Sequence, residues 1–385
     1  MKVLLCLLSD QHIPNLLSIH HFQPDRLVLV ETGKMKQQKS AENLLLALKL
    51  GHLDYHDRCD IESLKSEDEL EAVRKVLDLA YEKYPSADWI ANVTGGTKPM
   101  CIAAYEFFKE KGARVVYTNV GKPNIFMGLK DTAKETGQYK ITIEEFLTGY
   151  GFKNTYSSKV ISDQWINCAN AIAREKSDNL KLLFDDKDRK KARKSGIEIK
   201  TGKLTIESAS LASIVRDTFS LNGNGTTEPL HGRIEKDEAE FLTGGWLEVF
   251  FWDVLRRHAD TLGIWDVQLG LSISQKTGPT TNELDVAFMN NYGLQMLECK
   301  SGSQSHDPNT DILYKVEAIK RQFGAIRVRS FLATTSANVT KDGVKNRAAL
   351  YHCDIITAAE ICQLANDCDS PDLIRKLMFQ SKEKR

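Results

Sequence analysis

Apolar and polar positions along the first ~150 residues follow two alternating periods. Short apolar runs at Val3 to Leu8, Arg26 to Glu31, Trp89 to Thr94 and Val115 to Val120 read as buried β-strands. The stretches between them carry helical spacing. Pro14 to His21 opens a helix, Ala41 to Leu50 forms one that Gly51 stops, and Cys101 to Lys111 forms one that ends at Gly112. Asp68 to Tyr84 places Leu70, Val73, Leu77 and Tyr81 on one helical face, and Pro85 follows. Strands separated by helices predict parallel pairing with right-handed crossovers, so a doubly wound α/β sheet over residues 1–150.

The pattern then changes. Ile161 to Leu183 reads as helical, and Asp185 to Lys194 is a dense mixed-charge run. Ile197 to Ile206 alternates on both sides of Thr201-Gly202, a hairpin signal. Residues 151–240 are therefore expected to be a linker or small insertion module. From Gly244 onward, in a third region of residues 241–385, Trp246 to His258 is a strongly apolar helix. Val267 to Ser274, Leu284 to Met289 and Leu294 to Lys300 are strands, with Asn290 to Gly293 as a turn. Ile312 to Phe323 is a helix, Ile326 to Thr334 a strand, and Thr357 to Leu377 mostly helical.

Composition narrows the picture. Lys plus Arg number 52 and Asp plus Glu 52, so the chain is no polycation that coats nucleic acid with its whole surface. No apolar run approaches the ~18 residues of a membrane span. The apolar start, Met1 to Leu8, lacks a charged leader and a small-residue cleavage site, and is expected to be a first strand. Eight scattered cysteines without a C-x-x-C pair favour reduced thiols and a cytoplasmic location over a disulfide frame or a zinc ribbon.

Two motifs carry chemistry. Thr94-Gly95-Gly96-Thr97-Lys98-Pro99 follows a strand and opens a helix. Glycines let backbone amides approach a ligand, and a helix N-terminus offers unpaired N–H groups and partial positive charge to an anion. Thr97 and Lys98 add a hydroxyl and a cation, and the spacing is neither that of a Walker A loop nor of a dinucleotide fingerprint. Ser9, Asp10, Gln11 and His12, after the first strand, belong at the same edge of the sheet. A plain glycine turn with a solvated lysine is the alternative.

The second motif is Asn282-Glu283-Leu284-Asp285 followed by Leu297-Glu298-Cys299-Lys300. Glu298 and Lys300 share a strand face, about 6.6 Å apart, and Asp285 can meet Glu298 across the hairpin. Two carboxylates beside a lysine suit Mg²⁺ or Mn²⁺, with Asp285 and Glu298 as metal ligands, and suit attack on a phosphodiester. Glu248, on the apolar helix, is either a further metal or water ligand or a solvated helix-end carboxylate. The alternative for the whole motif is a surface hairpin with an exposed Glu–Lys pair. His52, His56 and Cys59 lack a fourth ligand for zinc. Tyr314, Lys315 and Lys320 are expected on a helix surface, and Trp246 and Trp252 in the core.

With both motifs in hand, the chain resembles a known family. The strand–Thr-Gly-Gly-Thr-Lys–helix segment is similar to the signature of CARF domains, the Rossmann-like sensors of type III CRISPR defence. The Glu-Leu-Asp…Glu-Cys-Lys hairpin resembles the PD-(D/E)xK restriction-endonuclease-like core, with Leu284 where that pattern often has proline. Together they resemble CARF nucleases activated by cyclic oligoadenylate, of the standalone cyclic-tetra-adenylate kind. The resemblance implies an N-terminal Rossmann-like domain plus a C-terminal restriction-endonuclease-like mixed α/β domain. It implies a homodimer with the cyclic activator across its two-fold axis, held by Thr94, Gly95, Gly96, Thr97 and Lys98 and closed over by Ser9, Asp10 and Gln11. It implies Asp285, Glu298 and Lys300 as catalytic residues using Mn²⁺ or Mg²⁺ on single-stranded DNA or RNA, or nicking duplex DNA. A non-enzymatic nucleotide-sensing regulator and a constitutive repair or restriction nuclease are the rival readings.

Overall fold

A computed structural model of the chain describes residues 1–119, 121–130, 132–156, 160–175, 180–182, 186–200, 204–206, 208–225, 227–275, 281–301, 313–314, 317–321, 323, 328–336, 342–367 and 370–380. Two compact units emerge: Met1–Asn154 with Ile273–Asn282, and Thr155–Ser272 with Glu283–Arg385.

The first unit is built on seven strands: β1 (Lys2–Leu7), β2 (Arg26–Glu31), β3 (Cys59–Ser63), β4 (Asp88–Asn92), β5 (Arg114–Asn119), β6 (Lys122–Gly128) and β7 (Lys134–Thr136), in the order β3-β2-β1-β4-β5-β6-β7. β1 to β5 run parallel, and β6 and β7 are antiparallel additions. Val3 to Leu7 are fully buried, as a central strand covered on both faces requires. The connecting helices are α1 (Ile13–Phe22), α2 (Gly33–Gln37), α3 (Ser40–Leu50), α4 (Leu70–Glu82) and α5 (Lys98–Glu110), with α6 (Ile143–Gly149) after the last strand. On one face Val3, Leu5, Leu7, Val28 and Val30 pack with Val73, Leu77, Phe107 and Phe108. The chain leaves β1 toward β2 on one side, and β4 lies on the other, so the strand order reverses between β1 and β4.

β8 (Phe152–Tyr156) spans the boundary at Asn154, and α7 (Asp163–Arg174) is the first helix of the second unit. The helix expected to reach Leu183 stops at Arg174, and Leu180–Leu182 is a strand, β9. α8 (Asp186–Ser195) and β10 (Ile197–Ile199) follow, then β11 (Leu204–Ile206), α9 (Ala209–Phe219) and β12 (Gly232–Ile234). The expected hairpin over Ile197 to Ile206 does not form. β10 pairs with β12 and β11 with β9, both antiparallel, while Thr201-Gly202 lies outside the described residues. Alternation identified the strands but not their partners, which come from elsewhere in the chain. Cys168, Ile172, Leu211, Val215 and Phe219 share one apolar core with Phe250, Phe251 and Leu297, so this middle stretch is packed into the same unit as the hairpin motif.

α10 (Lys236–Glu240) leads through a π-helical turn, Phe241–Gly245, into α11 (Trp246–Arg257). β13 (Ile264–Gln275), β14 (Thr281–Asn290), β15 (Gly293–Lys300), β16 (Arg329–Thr334) and β17 (Cys353–Ile356) complete a sheet in the order β17-β16-β15-β14-β13-β8. β14 and β15 are antiparallel through a two-residue turn in which Asn291 and Tyr292 both have positive φ (45° and 59°). β15, β16 and β17 are parallel. Further helices are Asp342–Leu350, Ala358–Asn366 and Pro371–Ile374.

Lys320 corrects an expectation. It is buried rather than on a helix surface, and its Nζ donates to the carbonyls of Tyr351 (2.7 Å) and His352 (3.3 Å). Tyr314 is exposed, and Lys315 lies outside the described residues. Trp246 is buried and Trp252 packs against the core, as expected. Among the described residues the seven cysteines are free thiols, and no helix is long and apolar enough to cross a membrane.

In the first unit Glu145 is buried and saturated. It accepts from the Tyr139 hydroxyl (2.8 Å) and from the Thr142 amide and hydroxyl (2.9 Å each). His20 stacks on Tyr139 at 3.5 Å. A Cβ at Gly51 would collide with Glu145, His20 and Tyr139 at once. Gly51→Ala is expected to lower unfolding free energy by about 1–3 kcal/mol through overpacking, read by denaturant titration. An unchanged midpoint would show that the cluster can shift aside.

Candidate functional site

The loops after β1 and β4 flank the reversal of strand order, where open α/β sheets bind ligands. One buried side chain fixes them. The Asn92 Nδ2 donates to Asn15 Oδ1 (3.1 Å) and Ser18 Oγ (2.9 Å), and its Oδ1 accepts from the Thr94 amide (3.1 Å) and hydroxyl (2.5 Å). Thr94 Oγ1 in turn accepts from the Thr118 amide (2.9 Å). Asn15 Nδ2 donates to the Leu7 carbonyl (2.8 Å), and that carbonyl lies where a Cβ on Gly95 would be. Gly95 is thus required by the close approach of β1, and Gly96 by its φ of 82°.

Structure sorts the expected ligand groups. The Thr94 hydroxyl is committed to Asn92 and Thr118. Thr97 caps α5, accepting from Met100 N (3.4 Å) while donating to the Glu67 carbonyl (3.0 Å). Both threonines therefore shape the loop with their side chains. Among the described residues nothing accepts from the amides of Gly95, Gly96 and Lys98, and Lys98 is exposed. Across from them, the Ser9 hydroxyl accepts from the Gln11 amide (3.2 Å). Asp10 is exposed and ion-paired to Lys34 (2.6 Å), which offsets a carboxylate that would otherwise oppose an anion. Gln11 is half-buried, with Oε1 buried and unpartnered. His12, which the sequence puts at this same sheet edge, is buried against Tyr150. Burial lowers its pKa to about 4, with Asp10 opposing.

The hairpin forms the second cluster. The register pairing Val286 with Leu297 carries Asp285 opposite Glu298. Both carboxylates are buried. Asp285 Oδ2 accepts from the Cys299 amide (2.7 Å), and Lys300 Nζ lies 3.0 Å from Glu298 and 3.9 Å from Asp285. Burial works against the Lys300 charge, but the carboxylates of Glu298 and Asp285 outweigh it and hold its pKa above the ordinary value. Glu248, half-buried in the first turn of α11, belongs to the same electrostatic group. Burial and then the Asp285 charge push its pKa up to about 8, with Lys300 pulling the other way. The surface-hairpin alternative does not hold, because these groups are buried and mutually charged.

Among the described residues no three His, Cys, Asp or Glu side chains converge at metal-ligand spacing. The donor chemistry nevertheless fits a hard divalent cation. Asp285 and Glu298 supply oxygens, and burial together with the Asp285 charge favours the neutral form of Glu248, with Lys300 opposing. His56 is ion-paired to Asp54 (2.9 Å), as expected of a surface histidine.

A family model described as the Card1 CARF domain matches residues 3–146, and one described as the Card1-like endonuclease domain matches residues 235–370. No curated protein matches the chain. Among solved structures, it is similar to Can2 from Sulfobacillus thermosulfidooxidans in complex with cyclic tetra-adenylate. That match has 19% identity and a TM-score of 0.75, over 99% of this chain and 100% of that one. It is similar to protein VC1899 from Vibrio cholerae, at 18% identity and a TM-score of 0.79 over 95% and 96% of the two chains. A type III CRISPR defence DNA nuclease activated by cyclic oligoadenylate matches at 16% identity and a TM-score of 0.55, over 86% of this chain and 45% of that one.

Two measurements check this geometry. Asn92→Leu leaves several buried groups unpartnered and is expected to lower unfolding free energy by about 2–4 kcal/mol. A near-neutral change in denaturant unfolding would contradict the network. For His12 the unfolded chain binds the proton first, near pH 6.5. Its contribution is therefore complete above pH 6.5 and is lost as pH falls toward about 4. His12→Phe should flatten the fall in melting temperature over that window, and parallel profiles would refute the assignment.

Proposed function

As the chain belongs to the Card1-like nucleases, which join a CARF domain to an endonuclease domain, we propose that it is a nuclease switched on by a cyclic oligoadenylate. What carries the reading is the buried Asp285–Glu298–Lys300 cluster on one hairpin, in the same chain as an anion-ready loop pair at a sheet switch point. The activator is cyclic tetra-adenylate, the ligand named for the Can2 structure. Amides of Gly95 and Gly96 and the amide and ammonium of Lys98 receive its phosphates, while Thr94 and Thr97 hold the loop in shape. Ser9, Asp10 and Gln11 line the opposing loop, and the unpartnered Gln11 oxygen is free to accept from a ligand donor. A two-fold symmetric ring is matched by a homodimer whose two copies contribute the same loops. Activation then requires tighter ligand binding to the cleavage-competent arrangement than to the resting one.

At the hairpin, Asp285 and Glu298 would hold Mn²⁺ or Mg²⁺, with Glu248 as a further ligand for the cation or its water. The cation supplies charge stabilisation and an activated water at neutral pH. Lys300 stays protonated, orients beside Glu298, and stabilises negative charge developing on the phosphate under attack. The Cys299 amide holds Asp285 in place. Substrates of this chemistry are single-stranded DNA or RNA, and duplex DNA that is nicked.

Purified protein should cleave single-stranded DNA, RNA or supercoiled plasmid with Mn²⁺ only when cyclic tetra-adenylate is added. Lys300→Ala should lower the rate by about 10²–10³-fold. Lys98→Ala should raise the half-activating ligand concentration about tenfold with little change in maximal rate. Equal rates without activator would favour a constitutive nuclease, and unchanged cleavage by Lys300→Ala would overturn the assigned site.

A further inference from the structure

The charged run at Asp185 to Lys194 has no part in either cluster above. Asp185 lies outside the described residues, and the rest forms α8. Its ten positions hold six basic and two acidic residues in a chain of zero formal charge. The final turns are cationic alone. Lys190, Lys191, Arg193 and Lys194 are exposed, while Ala192 is fully buried in the core of the unit. That buried alanine fixes the rotation of the helix and turns the cations to solvent. Lys190 and Lys194 stand four apart and Lys191 and Lys194 three apart, spacings at which like charges repel along a helix. Among the described residues none of these three lysines has a carboxylate partner.

Arg193 shows where this surface sits. Its Nε donates to Thr243 Oγ1 (2.8 Å) and its Nη2 to the Thr243 carbonyl (3.0 Å). The same carbonyl accepts from Ser301 Oγ (3.4 Å), and Ser301 directly follows Lys300. Gly244 leaves room for this junction, since a Cβ there would stand 3.2 Å from Ser301 Oγ and 3.4 Å from Arg193 Nη2. Thr243 and Gly244 also belong to the turn that leads into the helix bearing Glu248. Arg193 therefore pins the end of α8 to the turn before the Glu248 helix, and the same Thr243 carbonyl holds Ser301, next to Lys300. That cluster has more carboxylates than cations and by itself repels a polyanion, so attraction has to come from its rim.

We propose that the last turns of α8 dock the phosphate backbone of the strand cut at the hairpin, with Lys190, Lys191 and Lys194 contacting phosphates. Arg193 is a positioning residue that sets their distance from Lys300. The proposal rests on the nuclease reading, because that reading places a nucleic-acid strand at this hairpin. A helix that is merely solvated, with cations at its C-terminal end to suit its dipole, would carry the same charges without affecting nucleic-acid binding.

The test measures anisotropy of labelled single-stranded DNA, single-stranded RNA and duplex DNA with the full chain. It is run in chelator across a salt series, with and without cyclic tetra-adenylate. The combined Lys190→Ala, Lys191→Ala and Lys194→Ala variant should bind at least about tenfold more weakly at low salt. Its plot of log affinity against log salt should be shallower by about 2, from three lost contacts on a single strand. The corresponding triple Lys→Arg variant should keep wild-type affinity and slope. Unchanged affinity and slope in the alanine variant would overturn the proposal, as would a wild-type chain that binds none of the three nucleic acids. Because binding is read without divalent cation, a wild type that binds but never cleaves when metal is restored would sink the nuclease reading while leaving the docking result intact.

Discussion

The carboxamide of Asn92 is the constraint on which the sensor half of the molecule depends. Its two N–H groups and both acceptor positions of its oxygen are engaged inside the protein, on α1 and on the loop after β4. A saturated buried network of this kind specifies one geometry, because any displacement leaves polar groups unpartnered at low dielectric. Through Asn15 the same network reaches the end of β1, and the Leu7 carbonyl there packs against Gly95. The two loops that flank the switch point are thus set against each other before any ligand arrives. Free amides and an exposed lysine then project from a rigid base, which lowers the ordering cost of binding.

The hairpin follows the same principle with opposite charge. Antiparallel register sets Asp285 against Glu298, and the Cys299 amide fixes the aspartate. The alternation of β15 brings Lys300 onto the Glu298 face. Where the loop pair presents donors to an anion, this site gathers carboxylates that favour a cation, and burial with the Asp285 charge raises the pKa of Glu248 beside them. The two clusters are complementary in what they lack: one needs phosphate oxygens, the other positive charge.

Much of this was legible in the sequence because buried parallel strands read as continuous apolar runs. Arg26–Glu31 was placed to the residue, and β1, β4 and β5 within one or two. β3 was not visible, since Cys-Asp-Ile-Glu-Ser is a half-exposed edge strand without an apolar face. The pairing of β10 and β11 was misread because alternation reports exposure and says nothing about partners. The meeting of Glu298 and Lys300 was legible, since period-two geometry alone brings them together. The committed hydroxyls of Thr94 and Thr97 were not, because their partners, Thr118 and Glu67, are distant in sequence. The tie between Arg193 and Thr243 spans fifty residues and leaves no local trace. Lys320 read as a surface lysine for the same reason, its carbonyl partners lying beyond a separate helix.

The central claim is that the loops after β1 and β4 form half of a symmetric site for a cyclic oligoadenylate. Calorimetric titration of the full chain with cyclic tetra-adenylate tests it most directly. The account predicts saturable binding that reaches its end point at one ring per two chains. Absence of binding heat at any temperature, or saturation at one ring per chain, would contradict it.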